Sequence, residues 1–190
     1  MKSRNYSLLI APIIFLTLAI VACTINIGGP ENPNQPIAIS TEAVGELESA
    51  VSTAISSADN SGHVTIIITE PQLTSYLSAT LQKQAEPLLT APQVYLQDGQ
   101  IRIYAVAQQG YFQANIELVI TIGVDDQGKL MIELTNADFG PLPAPSGFKD
   151  AITAAIQEAF TGAIGPALVG FRLERITVAD GKMTVIGQIK

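Results

Sequence analysis

The 190-residue chain has one cysteine, one histidine and no tryptophan, and only 14% of its residues are charged, 10 Lys and Arg against 17 Asp and Glu. A single cysteine excludes an intramolecular disulfide. A single histidine, His63, excludes multi-histidine metal sites and leaves any histidine-based triad dependent on that one position. His63 follows Ser61 and Gly62 at the start of an apolar run, where an exposed turn histidine is expected. The acidic balance, formally −7, offers no charge basis for seeking nucleic acid or anionic headgroups. There is no glycine-rich phosphate loop. Asp125 and Asp126, in DDQGK, lack the further oxygen ligands of a calcium loop and read as a hairpin turn. Glu117 and Glu133, candidate neighbours across a hairpin, are expected to be solvated strand-face carboxylates rather than an acid–base pair. No catalytic residue, metal or cofactor is therefore expected, and the chain is read as non-enzymatic.

What is present begins at the amino terminus. MKSRNYS carries Lys2 and Arg4, and LLIAPIIFLTLAIVA follows as about fifteen mostly apolar residues, the layout of a secretory signal. The run contains Pro12 and falls short of the roughly 20 residues that a spanning helix needs. Ile20, Val21, Ala22 and Cys23 resemble the bacterial lipobox, in which the cysteine after the cleavage site is acylated on its thiol. The resemblance implies residues 1–22 as a lipoprotein signal peptide, lipidation at Cys23, and a place in the bacterial cell envelope. The protein is then expected on the outer side of the cytoplasmic membrane or in the outer membrane. Two or more acyl chains hold a protein lastingly, so the membrane is the first expected partner, reached through lipidated Cys23. Loss of the signal removes both of its basic residues, leaving 8 basic against 17 acidic, a net charge of about −9. Residues 24–40, TINIGGPENPNQPIAIS, are rich in Gly, Pro, Asn and Gln and read as a flexible tether. Extended, it would reach about 50 Å.

Residues 41–190 are long enough for one domain with a sizeable core. Val44, Leu47, Val51, Ala54, Ile55 and Ala58 recur at helical spacing behind Ser40 or Thr41 as cap, which predicts a helix over 41–59. HVTIIITE reads as a strand. Glu70–Pro71 opens a second helix, with Leu73, Leu77 and Leu81 on its inner stripe and Tyr76 alongside. From residue 92 the period becomes two. Asp98–Gly99 turns one hairpin and Asp125–Gly128 a second, whose first strand puts Ile116, Leu118, Ile120, Ile122 and Val124 on one face. That strand, about twelve residues and about 40 Å long, is roughly twice the usual length. GPLPAPSG breaks the sheet, and a helix follows over 147–164, with Phe148, Ile152, Ile156 and Phe160 inward. A last hairpin turns at Asp180–Gly181. Val94, Leu96, Asp98, Gly99, Ile101 and Ile103 match Ile176, Val178, Asp180, Gly181, Met183 and Val185 at a constant offset of 82, as if a helix-then-hairpin unit occurred twice.

Taken in order, ITEPQLTSYLSATLQ after a strand, VYLQDGQIRIYA, two long strands, the GPLP break, a helix and ITVADGKMTVIG resemble small bacterial envelope domains of the LmeA and YpmS type, similar to tubular lipid-binding (TULIP) proteins. The resemblance covers residues 60–190. It implies an α+β fold, a long curved antiparallel sheet wrapped around two or three helices in a single domain, with an apolar groove that holds lipid. The groove expected from periodicity lies between the helices and the inner strand face, lined by Leu73, Leu77, Ile116, Leu118, Ile120, Ile152, Ile156 and Phe160. An acyl chain suits such a groove, because each buried methylene contributes about 0.8 kcal/mol and needs shape rather than a directional partner. The competing expectation is a structural or protein-interaction module of the envelope, with these residues as filled core.

Overall fold

Apolar alternation and Asp-Gly turns generate the strands, and two capped amphipathic segments generate the helices. The computed structural model describes residues 25–33, 35–57, 62–83, 87, 89–109, 111–141, 147, 150, 153–154 and 171–189. The elements in chain order are β1 (Ile25–Asn26), α1 (Thr41–Ser56), β2 (His63–Thr69), α2 (Glu70–Gln82), β3 (Leu89–Gln97), β4 (Gln100–Gln109), β5 (Phe112–Val124), β6 (Leu130–Asp138), β7 (Phe171–Ala179) and β8 (Lys182–Ile189). Cys23 and the signal segment lie outside the described residues. So does most of the helix expected over 147–164, of which only Gly147, in a turn, and helical Asp150, Thr153 and Ala154 are described.

Ser40 caps α1, its Oγ accepting the Ala43 N–H at 3.0 Å. Ala43, Leu47 and Val51 form the buried stripe of that helix. Gln72 closes the start of α2 by accepting the Thr69 N–H at 3.0 Å, and Pro71 sits in the first turn, where a missing N–H costs nothing.

Strands β3, β4, β5 and β6 form an antiparallel sheet in that order, and β2, β8 and β7 form a second. Together the sheets curl into a half-barrel, giving an α+β fold. Its interior is one apolar cluster to which all the helices and strands except β1 contribute, centred on Ile66, Ile68, Leu96, Ile101, Ile116, Leu118, Ile120, Met183 and Val185. Helix α2 packs between the outer strands β3 and β2 of the two sheets, and α1 backs it.

Strand β5 is longer than β6, which covers only Glu117–Val124 of its edge. The remainder is covered by the segment expected to be a tether. Ile25 and Asn26 pair in parallel with Phe112 and Gln113, and the Asn115 N–H donates to the Gly28 carbonyl at 2.9 Å. An unpaired strand edge invites pairing, and here the chain's own amino-terminal segment supplies it.

The two Asp-Gly hairpins are built alike. Asp98 and Asp180 have φ of 52° and 50°, and Gly99 and Gly181 have φ of 75° and 73°, the left-handed pair that a tight two-residue turn requires. Both hairpins carry an irregularity at the same place, between Thr90 and Gln93 in one and between Leu173 and Arg175 in the other. They also bind each other reciprocally: Gly99 N–H donates to the Val178 carbonyl at 2.9 Å, and Gly181 N–H to the Leu96 carbonyl at 3.0 Å. Donors and acceptors alike are related by the offset of 82 seen in the sequence.

Candidate functional site

Five of the eight groove candidates are described. Ile116, Leu118 and Ile120 point from β5 into the half-barrel and carry no exposed surface; Leu73 joins the same cluster from α2, and half-buried Leu77 packs at its margin. The structure thus brings these five residues together around one apolar interior. Ile152, Ile156 and Phe160 lie outside the described residues. Other half-buried apolar side chains ring the cluster, among them Tyr76, Ile132, Phe139 and Ile176.

Helix α2 serves the site through its polar side as well. Thr74 Oγ1 accepts the Val94 N–H at 3.0 Å, and Glu70 Oε1 accepts the Leu96 N–H at 2.8 Å. Glu70 and Thr74 are one helical turn apart, and Val94 and Leu96 are two strand residues apart, spacings close enough for the side chains to complete the β3 edge. Sequence reading for apolar stripes passes over such polar residues. The available signal is Glu70 in the first helical turn and the Thr-Ser run at 74–75.

The opposite face of the sheet is crossed by residues 28–33 and 35–40. Ile37 N–H donates to Gln93 Oε1 at 2.5 Å, and Gln93 Nε2 donates back to the Ile37 carbonyl. Tyr95 OH donates to the Gln35 carbonyl at 3.0 Å, and Ser40 N–H to Ser75 Oγ at 3.1 Å. This strap closes over a cavity of about 330 Å³ lined by Pro33, Gln35, Tyr95, Gln97, Arg102 and Tyr104. The rings of Tyr95 and Tyr104 meet edge to face at 5.7 Å.

Below the cavity, Glu117 Oε1 accepts both Tyr104 OH at 2.8 Å and Arg102 Nη1 at 3.0 Å. Burial first, and then the hydrogen bond to Glu117, hold the Tyr104 phenol above its ordinary range, with Arg102 opposing. Burial and the charge of Glu70 raise Tyr95. The hydrogen bond to Glu117 raises Arg102 despite some desolvation. Tyr104 and Arg102 thus each spend a donor on the same carboxylate oxygen. Glu117 lies opposite Tyr104 on one side and Asp138 on the other, whereas Glu133 lies opposite Thr121, so the two glutamates considered from sequence are not cross-strand neighbours.

A second, open cleft of about 600 Å³ lies where the reciprocal hairpin tips meet Glu70. Its carboxylates, Glu70, Asp98 and Asp180, do not converge on a metal-binding arrangement, and none is found among the described residues. Asp125 spends one carboxylate oxygen on the N–H groups of Gln127 and Lys129, both at 2.8 Å, as a turn residue does. His63 is exposed, with Nε2 at 3.3 Å from Glu174 Oε1. Among the described residues no helix is long and apolar enough to cross a membrane. No family model, curated protein or solved structure matches this chain.

Proposed function

We propose that the protein is a non-enzymatic envelope lipoprotein, acylated at Cys23, whose half-barrel takes up a lipid or another apolar ligand between α2, the segment over 147–164 and the inner face of β5. The observation that carries this reading is the unbroken apolar interior shared by both sheets, with half-buried Leu77, Tyr76, Ile132 and Phe139 at its margin. A ligand at this margin would extend the apolar cluster without a directional partner, and an acyl chain is the class that such a lining favours. Resemblance to LmeA- and YpmS-type domains points the same way.

The test is native mass spectrometry of residues 24–190, a length that keeps the strap, followed by organic extraction. Lipid bound in about one-to-one ratio supports the proposal. A chain that stays free of ligand after incubation with envelope lipids overturns it in favour of a protein-interaction module.

A further inference from the structure

The end of the half-barrel beside β1 differs from the rest of the surface. Ile25 is 52% exposed, Tyr111 61% and Phe112 48%, and the three are held together by pairing. Ile25 lies opposite Phe112 in register, and its N–H donates to the Tyr111 carbonyl at 2.8 Å. Among the described residues, the other large exposed apolar side chains, Ile39, Ile67 and Met131, belong to separate elements or to the strap. No Asp, Glu, Lys or Arg occurs in 24–30 or 103–116, the stretches that carry β1 and the β4–β5 turn with its flanking strand residues, although the chain as a whole carries a net −7.

Cys23 is two residues before Ile25, so covalent reach alone keeps it within about 7 Å of a strand-paired position. We propose that this apex is a bilayer-docking surface: Ile25, Tyr111 and Phe112 enter the headgroup and acyl boundary beside the anchor, and the half-barrel stands on its β4–β5 end. The inference rests on the reading of Cys23 as the anchor. It changes what the anchor does, because a tether 17 residues long would leave orientation free, whereas attachment next to β1 fixes which end meets the membrane. An uncharged apex suits that surface, since an acidic one would be repelled by anionic lipids. Tyr and Phe suit it too, the phenol remaining among headgroups while the rings are buried.

The absence of tryptophan and the single cysteine make the test specific. The mature chain from Cys23 onward is coupled through that thiol to a maleimide lipid in phosphatidylcholine vesicles with brominated acyl chains, with Phe112→Trp as the fluorescent reporter. Tyr111→Trp is a second apex reporter, and Met131→Trp, on the residue opposite Gly123 near the far end of β5, is the control. Interfacial aromatics sit about 5–10 Å into the boundary, so both apex indoles should be quenched at least about twofold more than the control indole. Equal quenching at apex and control overturns the docking proposal. Chemical coupling makes this result independent of acylation in cells, which palmitate labelling of wild type against Cys23→Ser tests separately; loss of that labelling difference removes the anchor reading alone.

Discussion

At the residue scale, Glu117 shows how an outer-face position acquires a defined role. It alternates outward on β5, as its place in the sequence predicts, yet its side chain is only 16% exposed because Tyr104, Arg102 and the neighbouring strands surround it. Tyr104 holds its proton more tightly in the folded chain than in the unfolded one. Its contribution is therefore complete below the unfolded phenol value of about 10 and is lost as pH rises from there through the higher folded value. Tyr95 acts with the same sign in the same alkaline window. Glu117→Gln should shift Tyr104 ionisation to lower pH, read as earlier tyrosinate absorbance, and should make stability less steeply dependent on pH above about 10. Burial, the larger cause, remains, so the shift should be partial. An unchanged titration would mean that Glu117 does not govern the phenol.

At the element scale, the segment over 25–40 is the feature least legible in the sequence. Its Gly, Pro and Asn content describes a chain without regular structure, and composition does not say whether such a chain hangs free or lies on a surface. Its position depends on partners distant in sequence, Gln93, Tyr95 and Asn115, and on close approach at Gly29, where an added Cβ would lie 2.1 Å from the Asn115 carbonyl oxygen. Gly29 also has φ of 120°, a conformation strained for any other residue. Gly29→Ala should therefore lower stability by about 2 kcal/mol and release the strap. Limited proteolysis with a glutamyl endopeptidase reads the release directly, as faster cleavage after Glu31 than in wild type. Cleavage at the wild-type rate would show that the strap does not depend on this contact. By contrast α1, α2 and the hairpins were legible. Helix α1 starts at the cap expected from Ser40 and ends at Ser56, three residues short of the expected 41–59 span, and the hairpin turns fall at the expected Asp-Gly pairs.

At the scale of the whole molecule, two hairpins with matching turns and irregularities bind through reciprocal hydrogen bonds and draw both sheets around one interior. The repeat at an offset of 82 was visible in the sequence, but the contact between its copies was not, because alternation shows which side of a strand is apolar and not which strand it meets. The same limit applies to the groove. Ile116, Leu118 and Ile120 are placed on the inner face by a period of two, while periodicity cannot distinguish a ligand lining from filled core. Ile120→Ala separates these outcomes through chemical denaturation of the ligand-free protein. Filled core predicts a loss of about 3 kcal/mol, within the usual range of 2–5. A loss below about 1 kcal/mol would mean that the residue faces space left for a ligand.

The sequence by itself determined the local elements: which stretches are helix or strand, where they cap and turn, which side of β5 faces inward, and that one hairpin pattern recurs. These follow from spacing and from residues with strong conformational preferences, and both act over a few positions. Tertiary structure alone decided that residues 25–33 and 35–40 lie along the sheet, that Glu70 and Thr74 complete the β3 edge, that Glu117 gathers Arg102 and Tyr104, and that Ile25 meets Tyr111 and Phe112 at one end. Each of these contacts joins residues through packing and hydrogen bonding across elements, a relation that local composition and periodicity do not encode.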